Sequence, residues 1–141
     1  MKVRITRLDP SLPLPSRETA GAAGCDLSAA ADVTIAPGAI VLIPTGLIIK
    51  VPDGYFLGIF ARSSTPLKRG LMIPNGVGVV DTDYCGPEDE VKVQVYNFTA
   101  APVHLKRGDR IAQGIFIPYA APEWEEGESV GKNRGGFGST G

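Results

Sequence analysis

The chain has 141 residues, 43% of them hydrophobic, enough for one domain that buries roughly two thirds of its unfolded surface. Its 14 basic and 15 acidic side chains leave a net charge of -1, so no whole-molecule field draws in a nucleic-acid polymer or an anionic membrane, and phosphate binding must be local. Cys25 and Cys85 stand far apart with no CxxC spacing, which argues against a disulfide framework and a zinc site and suits reduced thiols.

Met1 to Leu8 alternates charged and apolar residues and lacks the apolar run of a signal peptide. No later run approaches the ~20 residues of a membrane span, so the expectation is a soluble, cytoplasmic protein with no membrane partner. Val3 and Ile5 begin a period-two pattern that recurs over residues 33–35, 40–43, 47–51, 55–60, 91–95 and 111–117. These short strands, punctuated by 18 glycines and 12 prolines and free of long helical periodicity, predict an all-β sandwich or jelly-roll-like barrel. One short helix is predicted over residues 63–69: Ser63 or Ser64 can cap it, Pro66 is tolerated in its first turn and Gly70 can end it. After Pro122 the pattern fades into an acidic stretch and a glycine-rich end, so the chain divides into a barrel, 1–126, and an arm, 127–141.

Three segments carry groups suited to phosphate chemistry. Ala61-Arg62-Ser63-Ser64 sits where a strand meets the predicted helix, so an arginine fork, two hydroxyls and free N–H groups would converge on an anion. Alone, it is equally an N-capped surface helix. The segment from Asn75 to Tyr84 begins like a hairpin turn and ends in Asp81, Asp83 and an aromatic ring; a carboxylate there can act as general base and Tyr84 can pack on a sugar. Gly135, Gly136 and Gly138 let the backbone wrap an anion, Ser139 and Thr140 add hydroxyls, and Phe137 offers a face to a base. Asp81-x-Asp83 with Gly86 imitates the start of a calcium loop, but Cys85 and Lys92 occupy positions that need oxygen ligands, which excludes calcium. Asp26 alone reads as a turn residue and Gln113 as a polar strand residue; His104, the sole histidine, has no nucleophile paired with it and reads as surface.

Taken in order, Gly24-Cys25-Asp26-Leu27, Ala61-Arg62-Ser63-Ser64, Asn75 to Tyr84, Gly108 to Gln113 and Gly135 to Gly141 resemble the five ordered motifs of the trimeric dUTP pyrophosphatase (dUTPase) family. The resemblance spans nearly the whole chain and implies a jelly-roll-like, β-clip barrel assembled as a homotrimer with active sites shared between subunits. It implies hydrolysis of dUTP to dUMP and pyrophosphate, which keeps uracil out of DNA and supplies dUMP for dTMP synthesis. On this resemblance uracil would lie against the backbone near Asn75, Gly78 and Val80, with no room for the thymine methyl. Tyr84 would pack under the deoxyribose, and Asp81 would be the general base that orients water toward the α-phosphorus. Arg62, Ser63, Ser64 and Gln113 would contact the phosphates, and Asp26 would face the waters of a Mg2+ ion held mainly by the triphosphate. Phe137 would close over uracil, while Gly138, Ser139, Thr140 and either Lys132 or Arg134 would meet the terminal phosphates.

The chain departs from the family pattern in two places. Gly86-Pro87-Glu88-Asp89-Glu90 lengthens the stretch from Tyr84 to Asn97, which predicts a longer loop beside the site, and Lys132 stands where the family usually has arginine, with Arg134 directly before Gly135. Two rivals share the expected fold: a dCTP deaminase, which needs a glutamate base, and a trimeric nucleotide-binding or regulatory protein without turnover. Asn75 to Tyr84 suits the hydrolase better than the deaminase, and the presence of Asp81 opposes the non-catalytic reading.

Overall fold

The structure, a computed structural model, describes residues 1–136; Phe137, Gly138, Ser139 and Thr140 lie outside the described residues. In chain order the strands are β1 (Arg4–Arg7), β2 (Cys25–Ser28), β3 (Val33–Ile35), β4 (Ile40–Pro44), β5 (Leu47–Lys50), β6 (Tyr55–Ala61), β7 (Leu71–Met72), β8 (Gly78–Val80), β9 (Lys92–Asn97), β10 (Val103–Leu105) and β11 (Arg110–Pro118). One π-helical turn, Thr65–Arg69, separates β6 from β7. Every pairing among these strands is antiparallel: β2-β11-β6-β8 in one sheet, β4-β9-β7 in another, and the two-stranded β1-β5 and β3-β10. This is the jelly-roll-like all-β arrangement that the alternating pattern and turn residues predict.

The core forms because inward positions repeat every second residue. Val93 and Val95 of β9 are buried beside Ile43, Leu71 and Val91, while Lys92, Gln94 and Tyr96 face outward. Asn97, fully buried at the end of β9, is satisfied on every side: its amide donates to the Ile35 and Ala101 carbonyls at 3.0 and 2.9 Å, and its oxygen accepts the Thr99 N–H and hydroxyl at 2.9 and 2.8 Å. That network closes the connection from β9 to β10 without leaving a buried polar atom unpaired.

Several local expectations need correction. Asp26 is a strand residue, in β2, and not a turn residue. The Asn75-Gly76 turn joins no hairpin: β7 before it pairs with β9, whereas β8 after it pairs with β6 in another sheet. The helix is a five-residue π turn, shorter than predicted; Ser64 occupies its N-cap position in helical geometry and makes no side-chain cap hydrogen bond. So short a turn has little macrodipole to offer an anion. Gly70 does end it, in the left-handed conformation at φ 64°, where a Cβ would fall 2.1 Å from the Thr99 methyl. No helix among the described residues is long and apolar enough to cross a membrane. Both cysteines are free thiols, half-buried. His104 is exposed on β10, its Nδ1 2.9 Å from the Thr34 hydroxyl, in keeping with a surface role.

Candidate functional site

The sequence-selected residues fall into two groups at separate places. The first lines a cleft of about 400 Å³ beside β8, whose walls include Asn75, Gly78, Val80, Asp81 and Tyr84 together with Lys92 of β9. Pairing with β6 sets Gly78 opposite Ile59 and Val80 opposite Leu57, which leaves Val80 buried and puts Asp81 one step past the strand end, exposed. Among the described residues the Asp81 carboxylate makes no hydrogen bond or ion pair, so its oxygens are open to a water or substrate. The segment that carries it is nevertheless held: Lys50 Nζ donates to the Thr82 carbonyl at 2.8 Å, and the Tyr84 hydroxyl donates to the Glu90 carbonyl at 3.1 Å.

The second group is a row across the sheet β2-β11-β6. Gln113 of β11 stands opposite Asp26 of β2, and its neighbour Ala112 stands opposite Ala61, the last residue of β6 before Arg62. Arg62 Nε donates to Asp26 Oδ1 at 2.8 Å and Arg110 Nη1 to Asp26 Oδ2 at 3.1 Å, so both carboxylate oxygens are engaged; Arg110 also pairs with Glu18. A register shift in β11 between Arg110 and Ala112 lets Arg110 pair with Ser28 and reach Asp26, the re-aiming that a bulge provides. Gln113 Nε2 donates to the Ala61 carbonyl at 3.0 Å, and Gly24 packs against it so closely that a Cβ there would lie 2.6 Å from Gln113 Oε1. Asp26 is only 15% exposed and Arg62 25%, a half-buried pair that aligns the guanidinium at the start of the Ser63-Ser64 turn.

Within one chain the two groups do not meet. Asp81 follows Val80, opposite Leu57, while Arg62 lies five residues further along β6, roughly 16 Å away at ~3.3 Å per residue. Lys132 and Arg134 are exposed in the segment after β11 and make no hydrogen bond or ion pair to either group among the described residues; the expectations for Phe137, Gly138, Ser139 and Thr140 fall outside the described residues. Glu18 and Lys50 escaped the sequence reading, and Arg110 and Glu90 were quoted within longer segments without a role, because their roles depend on pairings made between distant segments. A larger cleft of about 600 Å³ lies between the N-terminal segment and β11, lined by Val3, Ile5, Cys25, Leu27 and Phe116; it contains no carboxylate and only Arg17 as a charged side chain.

Among the described residues no three His, Cys, Asp or Glu side chains cluster closely enough to cage a metal ion. What the two groups offer is an unengaged carboxylate beside a cleft sized for a base and sugar, and a guanidinium-rich row suited to phosphate oxygens.

Comparison with known proteins bears on this arrangement directly. A family model described as dUTPase matches residues 11–141. A deoxyuridine 5'-triphosphate nucleotidohydrolase of Desulfitobacterium hafniense is 46% identical, over all of this chain and 95% of that protein. The crystal structure of the dUTPase from Streptococcus mutans is 40% identical and superposes with a TM-score of 0.80 over 88% of this chain and 100% of its own. The Staphylococcus bacteriophage 80alpha dUTPase with dUpNHpp, at 22% identity, shares the fold with a TM-score of 0.87 over 99% of this chain and 98% of its own.

Proposed function

This chain belongs to the dUTPase family and hydrolyses dUTP, and we propose that it does so at a site built from the cleft of one subunit and the sheet-borne row of another. The observation that carries the assignment of roles is the contrast between two carboxylates. Asp81 is unengaged at the mouth of the cleft, as a general base must be, whereas Asp26 has both oxygens occupied by guanidinium groups. Uracil enters the cleft against the backbone of Asn75, Gly78 and Val80, and Tyr84 packs on the deoxyribose. Asp81 takes a proton from a water as its oxygen attacks the α-phosphorus, and the bond to the bridging oxygen breaks to release dUMP and pyrophosphate. Arg62, Ser63, Ser64 and Gln113 hold the phosphate oxygens.

Distance supports sharing between subunits. A base that orients water at the α-phosphorus and donors that hold the same triphosphate must stand within a hydrogen bond of neighbouring atoms, and roughly 16 Å along β6 is too far. The outer face of sheet β4-β9-β7 supports assembly: Ile40 and Leu42, 55% and 57% exposed, adjoin Met72 and Tyr96, and Leu42 also lines the cleft. A neighbour covering that apolar face would sit beside the cleft, and a homotrimer is the assembly we infer. Residues 127–141, with Lys132, Arg134 and Phe137, act as an arm over a neighbour's site and exclude water when substrate is bound.

Mg2+ is the metal that fits this reading. With no protein cage among the described residues, the ion would be carried by the triphosphate oxygens, with Asp26 toward its waters, as suits a small cation that sheds water reluctantly. Bound there, it would supply positive charge to neutralise the phosphates. The experiment is product analysis after incubating the protein and magnesium with dUTP, dCTP, dTTP and UTP separately. Conversion of dUTP alone to dUMP and pyrophosphate is the expected result; loss of the amino group from dCTP, or no turnover, contradicts it.

A further inference from the structure

Tyr84, which the reading above places against the deoxyribose, is 41% exposed, yet its ring is tethered at the hydroxyl. Its hydroxyl donates to the Glu90 carbonyl at 3.1 Å, and that carbonyl is itself fixed from several sides. Glu90 Oε1 accepts the Gly46 N–H at 2.7 Å. The next residue, Val91, donates its N–H to the Leu47 carbonyl at 2.8 Å and accepts the buried Thr45 hydroxyl at 2.5 Å. Gly46 is left-handed at φ 68°, and a Cβ there would lie 3.0 Å from Leu12 Cδ1 and 3.4 Å from Ala30 Cβ, so the turn between β4 and β5 is a firm anchor. The longer stretch after Tyr84 closes on itself, with Asp89 Oδ2 accepting the Gly86 N–H at 2.6 Å, and returns the chain to that anchor.

We propose that Glu90 is a positioning residue for sugar selectivity: by clamping its own main chain to the β4–β5 turn, it pins the Tyr84 ring as a fixed wall beside C2′ of the nucleotide. The inference rests on the reading of Tyr84 as the sugar wall. A ring free to rotate yields to an added 2′-hydroxyl at the cost of a rotamer change; a ring tied at its hydroxyl must also break a hydrogen bond. Selectivity against ribonucleotides then depends on a carboxylate that touches neither substrate nor metal.

The test compares kcat/KM for dUTP and for UTP, with magnesium, in the wild-type protein and in Glu90→Ala, Glu90→Gln, Tyr84→Phe and Tyr84→Ala. Glu90→Ala, which removes the carboxylate that holds the Gly46 N–H and so loosens the tie on Tyr84, narrows the dUTP-to-UTP ratio roughly fivefold, the size of one hydrogen bond's net contribution. Glu90→Gln, which still offers an oxygen to Gly46, restores the ratio; Tyr84→Phe narrows it as Glu90→Ala does, and the two changes combined narrow it no further. An unchanged ratio in Glu90→Ala, with a collapsed ratio in Tyr84→Ala, overturns the clamp and leaves the sugar wall standing. An unchanged ratio in Tyr84→Ala overturns the wall and the clamp together. If Glu90→Ala does not fold, Glu90→Asp, one methylene too short to hold the Gly46 N–H, takes its place: a narrowed ratio supports the clamp and a wild-type ratio overturns it.

Discussion

Asp26 and Asp81 are the same residue type in two settings, and the settings divide the work between them. Asp26 lies within β2, at one edge of a four-stranded sheet, its side chain only 15% exposed, with both oxygens engaged by Arg62 and Arg110. Asp81 lies just past the end of the opposite edge strand, exposed, its carboxylate free of partners among the described residues, on a segment tied by Lys50 at the Thr82 carbonyl and by the Tyr84 hydroxyl at the Glu90 carbonyl. A carboxylate that orients a guanidinium must be engaged; one that takes a proton must be available. Sheet register supplies the first condition and a tethered turn supplies the second.

The sharpest way to break this comparison is Asp81→Asn. Turnover of dUTP should fall about a thousandfold, with binding of a non-hydrolysable dUTP analogue retained, because the amide keeps the shape and loses the base. Wild-type turnover in that variant would assign the base elsewhere. Next in size is Arg62→Ala, for which kcat/KM for dUTP should drop about a hundredfold as a charge-assisted phosphate contact is lost. The midpoint of thermal unfolding should move little; a large stability loss with unchanged kcat/KM would make Arg62 a structural partner of Asp26 and nothing more.

The smallest effect lies outside both groups and serves as their control. Asp9 is held down to about 2 from an ordinary 3.8 by the Ser11 hydroxyl and the Arg107 guanidinium, and Asp32 is lowered by the Arg107 N–H and Lys106. A carboxyl whose folded value is depressed contributes stability that is present above its unfolded value and lost as pH falls toward the folded one. The wild-type protein should therefore lose thermal stability between about pH 4 and pH 2 more steeply than Asp9→Asn, by a small margin that salt reduces. Identical acid profiles would show that this exposed network contributes nothing measurable. Activity near neutral pH should be the same in both.

The strands that carry the core were legible as apolar or alternating runs bounded by turn residues: β3, bounded by Asp32 and Pro37, falls at its predicted limits. β2, β7, β8 and β10, each of two to four residues, were not. The hairpin expected at Asn75-Gly76 does not form. Turn chemistry fixes the local bend, but the partners of the flanking strands are chosen by distant β6 and β9. Ser64 offered a capping side chain, yet the structure puts it in helical geometry at the head of a π turn. In the site, Asp81, Tyr84 and Asn75 were readable as a contiguous segment, whereas the tie of Arg62 and Arg110 to Asp26 needs the β2–β11 register and its bulge, which no local pattern encodes.

The claim at the centre of this account is that the free carboxylate and the guanidinium row meet only across subunits, and mixing two impaired variants tests it directly. Asp81→Asn and Arg62→Ala protein, each nearly inactive alone, would be unfolded together in equal amounts, refolded and assayed for release of dUMP from dUTP. Sites shared between neighbouring subunits predict recovery of about a quarter of wild-type activity, the fraction that pairs an intact Asp81 with an intact Arg62 in random assemblies. Activity that never exceeds the two variants assayed separately would place both groups in one subunit's site and contradict the account.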